Sequence, residues 1–473
     1  MSRRRPRKAL QGRRGLAVGA ISLGCPKNLV DTEVMLGFLG EAGFSLVSDP
    51  GQADVLLINT CSFVQAAREE SAEALAEASQ WRRSLGAGAL VCCGCWPQSD
   101  SARLRQEFPE IDAFMGPGDV ARVASIVQHA LTGAGQRKPA ASPSSYLYDD
   151  RTPRVMTTAP WTAYIKIAEG CSHRCRFCVI PRLRGRYRSR SPGSVVREAR
   201  ALAQRGVREI NLVAQDTTAY GRDRGSTDIA DLLSKLARVR SLRWVRLLYG
   251  FPTRVTNRLI AAIAREPTVC EYIDVPFQHA DRALLRRMGR PGDGPAYLRL
   301  IARLRSAMPD IALRSTFLVG LPGEGEEQFG RLLEFVEAAQ LDRAGAFCYS
   351  PEPDTPAADM PDQVPAEVAQ QRFHELMTLQ QRISLARNQR WIGREIEVLI
   401  EAERESSGEW IGRSFRDAPE IDGAVKVQAG RRRLKTGEFV RVKVTAAEPY
   451  DLIAEVSGSR RDEFVGQQRA CRP

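Results

Sequence analysis

The chain has 473 residues, 43% of them hydrophobic and 26% charged, which is a globular composition large enough for two to four domains. It contains no apolar run of the roughly eighteen residues a membrane-spanning helix needs. The formal net charge is +13, but Arg3, Arg4, Arg5, Arg7, Lys8, Arg13 and Arg14 supply more than half of it. Residues 1–15 therefore read as a disordered basic tail, and the excess says little about the folded body. No apolar segment of signal-peptide length follows the tail, so the expectation is a cytoplasmic protein with no membrane partner.

From residue 16 to 133, strand-like runs alternate with amphipathic stretches. AVGAISLGC (17–25), DVLLINTC (54–61) and ALVCCGC (89–95) read as strands. The first is followed by a helix opened by Pro26, the second by a helix near 65–85. That alternation predicts a parallel sheet with helices on its faces. Residues 134–159 are rich in Gly, Ala, Ser and Pro and read as a linker. From 160 to 350 six more strands are expected, at 162–168, 209–215, 244–250, 272–278, 312–320 and 344–350. Six β/α units fit an open, partial TIM-type barrel, and a doubly wound sheet fits them as well. Residues 351–390 hold a proline-rich connector and a helix. The strand-like runs between 391 and 456 predict a small β-barrel, and 457–473 is a polar tail.

Eleven cysteines are many for a chain with no export signal. In a reducing compartment, clustered thiols point to metal or redox chemistry. Cys171, Cys175 and Cys178 fall in the spacing C-x3-C-x2-C immediately after the first strand of the second domain, where a parallel barrel has its catalytic face. A zinc site there would be expected to recruit a fourth ligand, for which His173 is the available candidate. A 4Fe–4S cluster on three thiolates would leave one iron open to a substrate. Cys25, Cys61 and Cys95 are far apart in sequence, yet each stands at the carboxyl end of a predicted strand, where an open parallel sheet gathers its ligand-binding residues. Cys95 is chosen over Cys92 and Cys93 because it alone lies beyond the strand, after Gly94. Cys92, Cys93, Cys270 and Cys348 read as buried thiols, and Cys471 as idle in its tail.

The triad in EGCSHRCRFC, with Phe177 before its last cysteine, resembles the signature of the radical S-adenosylmethionine superfamily. The resemblance implies that S-adenosylmethionine binds the open iron and that Phe177 contacts its adenine. A core aromatic is the alternative for Phe177. Together, the N-terminal cysteines, the radical triad and the C-terminal barrel resemble the methylthiotransferase family over residues 16 to 456. The fold implied is an N-terminal methylthiotransferase domain, a (β/α)6 radical barrel and a TRAM-like barrel. In that family Cys25, Cys61 and Cys95 would hold a second 4Fe–4S cluster, which carries the sulfur to be methylated and transferred.

SLGCPKNLVDTE, KIAEGCSHRCRFCVIPRLRG, QDTTAYG, DVPFQHA and DAPEIDG are similar to the branch that places sulfur on the β-carbon of an aspartate in small-subunit ribosomal protein S-twelve. The branch acting on tRNA adenosine has Gln-Met-Asn where this chain has Pro26-Lys27-Asn28. Residues 391–456 carry eleven Lys/Arg and thirteen Asp/Glu. A mildly acidic barrel suits a basic ribosomal protein better than tRNA phosphates. Arg182, Arg184, Arg186, Arg188 and Arg190 would line one face of an extended chain near the active-site mouth, there to steer an acidic partner or to solvate the rim. The alternatives to a protein methylthiotransferase are a tRNA methylthiotransferase and a non-enzymatic iron–sulfur carrier or ribosome-associated module. An electron donor is required, and the sequence does not name it.

Overall fold

The computed structural model describes residues 15–84, 88–133, 146–225, 227–404, 408–430 and 432–457. The basic tail before Gly15, the C-terminal tail with Cys471, and Arg431 fall outside them. The N-terminal part comprises β1 (Ala17–Ser22), α1 (Pro26–Glu41), β2 (Ser45–Leu46), β3 (Val55–Thr60), α2 (Gln65–Ser84), β4 (Ala89–Gly94), α3 (Cys95–Glu107), β5 (Ala113–Met115) and α4 (Val123–Thr132). Its strands form one all-parallel sheet in the order β2-β1-β3-β4-β5. β3 and β4 are buried along their whole length, which is why both read as unbroken apolar runs. β2 and β5 went unread because two and three residues are too few to show a period. Strand order reverses between β1 and β3, the switch point at which such sheets leave a crevice at their carboxyl ends.

The central part holds β6 (Thr162–Lys166), β7 (Ala168–Glu169), α5 (Ile180–Arg184), β8 (Arg188–Ser189), α6 (Pro192–Gln204), β9 (Glu209–Val213), α7 (Ile229–Leu236), β10 (Trp244–Leu247), α8 (Asn257–Arg265), β11 (Tyr272–Asp274), α9 (Arg282–Arg287), α10 (Gly294–Ala307), β12 (Ala312–Val319), α11 (Glu326–Ala339) and β13 (Arg343–Cys348). The six barrel strands pair in chain order, β6-β9-β10 and β11-β12-β13, always parallel. A bridge from Val245 to Val269 and the Gly250 amide on the Asp274 carbonyl (2.7 Å) join the halves. A doubly wound sheet would reverse its order, so the arrangement is that of an open barrel. Ahead of β6, Tyr148 is buried, and Arg154 bonds to Glu33, Glu198 and the Tyr164 carbonyl. This part of the Gly/Pro-rich stretch therefore packs as a strap between the sheet and the barrel.

After the connector come α12 (Ala366–Gln389), β14 (Glu395–Arg404), β15 (Glu409–Ser414), β16 (Val425–Gln428), β17 (Phe439–Ala447) and β18 (Leu452–Val456). The five strands close into a barrel in the order β14-β15-β16-β18-β17. Along β17, Val440, Val442 and Val444 point inward, alternating with exposed Arg441 and Lys443.

DAPEIDG turns out to be an anchor under the radical barrel. Asp417 accepts from Arg343 (2.9 Å), and Asp422 accepts from the Tyr272 hydroxyl (2.7 Å) and from Arg314 (3.2 Å). Beside them Glu209 is fully buried and accepts from Arg413 (2.6 Å), Arg246 (3.1 Å) and Thr162 (2.9 Å). Burial opposes ionisation of Glu209, yet the two guanidiniums outweigh it and hold its carboxyl down to about 2. A carboxyl depressed on folding stabilises the fold above its ordinary value near 4.5 and loses that contribution as the pH falls toward 2. Glu209→Gln leaves buried Arg246 with no carboxylate and Arg413 with only Glu401, and should cost roughly 3–5 kcal/mol. Thermal unfolding should show the loss at pH 7, with a shallower decline below pH about 4.5 than in the wild type.

Candidate active site

Cys25 precedes the first turn of α1, Cys61 follows β3, and Cys95 opens α3 directly after β4. Three adjacent strands thus deliver their thiols to the same edge of the sheet. Gly24 adopts φ +81° and lies against Cys61, so that a Cβ there would fall 2.5 Å from the Cys61 Cβ. Gly94, at φ +102°, lets the chain leave β4 where a Cβ would strike the Asn59 side chain at 2.4 Å. Cys92 and Cys93 stay inside the strand, fully buried, with the Cys93 thiol donating to the Ile58 carbonyl (3.3 Å). Burial opposes ionisation of Cys25, but Lys27, Arg184 and the amides of Lys27 and Asn28 together hold its thiol below the ordinary value. Burial and the proximity of Cys95 and Cys25 push Cys61 up to about 12. Cys95 is raised by burial and drawn partly back by Arg184.

Cys171 follows β7 and donates its amide to the Gly185 carbonyl (3.0 Å), while the Cys178 amide bonds to the Cys175 carbonyl (3.1 Å). Arg290 donates to the Cys175 sulfur at 3.6 Å. Burial pushes Cys171 up to about 11 and Cys178 up to about 12, with each sensing Cys175. His173 is turned to other work: its ring stacks on Phe251 (3.8 Å) and its Nε2 meets Asp216 at 2.7 Å. It does not complete a zinc site. Among the described residues no three His, Cys, Asp or Glu side chains close on a point suited to one ion.

The two triads are neighbours. Cys95 packs with Val179, which follows directly on Cys178, and with Leu183 of α5. Arg184, at the end of α5, reaches into the N-terminal domain and donates to Asn28 Oδ1 (2.6 Å) and Asp31 (3.0 Å) while also bonding Glu169 (3.0 Å). Lys166 bonds the same two carboxylates. A cleft opens alongside, lined by Phe63 and Val64 from the N-terminal part and by Phe177, Gln278, Leu318 and Cys348 from the barrel. The ion pair of Arg68 with Glu352 joins α2 to the connector nearby.

Phe177 is half-buried, packed on the barrel core while facing the cleft. Cys270 is buried as expected, but Cys348 is only half-buried, because it ends β13 where the chain leaves the barrel. The row of five arginines does not line a rim. Residues 180–184 form α5 and so break the extended register, burying Arg184 and Arg190 in ion pairs and leaving Arg182 exposed. In the sequence Asp31, Lys166 and Glu169 stand out only as parts of longer motifs, Asn28 only in the Pro-Lys-Asn run, and Arg184 only in the row of arginines. Their opposite charges in three distant segments were the available signal.

Sequence profiles match the radical SAM superfamily at residues 165–336, an uncharacterized protein family, UPF0004, at 17–116, and the TRAM domain at 392–456. The ribosomal protein uS12 methylthiotransferase RimO of Heliobacterium modesticaldum is 49% identical over 92% of this chain and 94% of its own. That of Desulforamulus reducens is 46% identical over 93% and 99%. The chain belongs to the RimO family of methylthiotransferases. Among solved structures, the radical S-adenosylmethionine methyltransferase TsrM from Kitasatospora setae, with cobalamin and a [4Fe-4S] cluster bound, shares the fold over 73% of this chain and 77% of its own. The TM-score is 0.55 at 18% identity. Membership in the RimO family fits the two facing triads, which a radical barrel alone does not require.

Proposed function

We infer that this chain methylthiolates the β-carbon of an aspartate in ribosomal protein uS12, using S-adenosylmethionine and two 4Fe–4S clusters. The reading rests on the packing of Cys95 against Val179, which sets one group of three thiols beside another across a domain boundary. Cys25, Cys61 and Cys95 would hold one cluster and Cys171, Cys175 and Cys178 the other. When bound, these groups supply reductive cleavage of the sulfonium and a sulfur for methylation and transfer. The chain's own residues do the positioning. Arg184 favours thiolate at Cys25, Arg290 donates to Cys175, and Phe177 offers a ring beside Cys178 for the adenine. Cys61, Cys95 and Cys171 are buried, while Cys25, Cys175 and Cys178 stay partly open to an incoming substrate.

Among the described residues no helix is long and apolar enough to cross a membrane. A ribosomal substrate and a chemistry that needs reduced thiols support a cytoplasmic reaction, with an electron donor as the further partner. The test is mass spectrometry of uS12 from a strain lacking the gene. The protein should lack the mass of one methylthio group, and the intact gene should restore it. A uS12 aspartate still methylthiolated in the deletion strain would end this reading.

A further inference from the structure

Lys27 carries a charge that no carboxylate among the described residues answers. Its side chain is about nine-tenths buried, yet among the described residues it has no ion-pair or hydrogen-bond partner. Its ammonium lies over the Tyr249 ring, 3.6 Å from the centroid. Tyr249 follows β10 with φ +60°, held there by its amide on Asp274 (3.2 Å). Two residues on, Phe251 stacks on His173, in the loop between Cys171 and Cys175, and Lys27 lies close enough to Cys25 to act on its thiol. The cation therefore lies near Cys25 and near the residues that back the second triad, at the carboxyl ends of both sets of strands.

A buried ammonium has three donors and is normally paired. The carboxylates nearby in the fold are committed elsewhere. Asp31 serves Lys166 and Arg184, Glu33 serves Arg154, and Asp274 serves Arg314 and the Tyr249 amide. The ring beneath Lys27 fixes the ammonium but leaves its N–H groups free. The Cys25 sulfur attracts it through space without accepting a hydrogen bond. A carboxylate from outside the chain would satisfy it with charge-assisted bonds.

We propose that Lys27 binds the side-chain carboxylate of the substrate aspartate and so orients its β-carbon between the two triads. This rests on the methylthiotransferase reading above and adds to it the group that reads the acid. It also gives Pro26-Lys27-Asn28 a chemical meaning, since a nucleobase substrate offers no carboxylate to pair with.

The experiment measures binding of uS12, and of uS12 with the target aspartate replaced by asparagine, to the anaerobically reconstituted enzyme without reductant. Iron content is determined in parallel. Wild type should prefer the aspartate form by about tenfold or more, the value of a hydrogen bond to a charged group. Lys27→Gln should bring that ratio close to one with iron content unchanged, and Lys27→Arg should keep most of the preference. The assignment is overturned if Lys27→Gln retains the preference, if it loses iron (Lys27 then serves the thiolates), or if wild type shows no preference. The last result would leave methylthiolation itself standing, because the mass of uS12 from the deletion strain reports on that separately.

Discussion

Replacing Cys171 with alanine is expected to halve the iron of the anaerobically reconstituted protein, from about eight atoms to about four, and to abolish release of 5′-deoxyadenosine. The arithmetic is that of two cubane clusters, one lost and one kept. The effect should be all-or-none because the site has no spare ligand. His173 is held by Asp216 and Phe251, and Cys270 is buried in another part of the barrel. Cys95→Ala should lose the other four irons while still cleaving S-adenosylmethionine. The two variants together separate the triads, with Cys171→Ala blind to both reactions and Cys95→Ala blind only to sulfur transfer. A Cys95→Ala protein that keeps all its iron would remove Cys95 from the first site and reopen the choice among Cys92, Cys93 and Cys95.

That choice shows why the cysteines were legible and other parts were not. Cys25, Cys61 and Cys95 stand out because a buried parallel strand writes itself as an apolar run, and the residue after the run is where such a sheet binds things. The six barrel strands were legible for the same reason. Their closure order was not, since periodicity describes one element and pairing involves two. The row from Arg182 to Arg190 misled because an alternating pattern presumes an extended chain, whereas Pro181 begins a helix and Gly185, at φ +76°, ends it. DAPEIDG was legible as a motif but not in its purpose. Asp417 and Asp422 meet Arg343, Arg314 and Tyr272, residues from strands some hundred positions away. Those buried pairs also change the meaning of the barrel's charge count, because Arg413, Arg416 and Asp417 never reach the surface that a partner would feel.

The second large effect should come from Arg184. Its guanidinium is 1% exposed and forms, with Lys166, Asp31 and Glu169, a closed set of two cations and two anions spanning the N-terminal domain and the barrel. Arg184→Met would leave two buried carboxylates facing one ammonium. Such an imbalance costs roughly 3–5 kcal/mol, a fall in melting temperature on the order of 10 °C. If neutrality rather than any single bond holds the network, Arg184→Met with Asp31→Asn should be more stable than Arg184→Met alone, because Lys166 and Glu169 then remain as a matched pair. A double-mutant cycle on thermal unfolding reads this directly, and simple additivity would show that the four residues act independently. Arg184→Lys should restore the charge but not the fork that reaches Asn28, Asp31 and Glu169 together. It should therefore recover stability more fully than sulfur transfer, since the same fork sets α1, and with it Cys25, against the second triad.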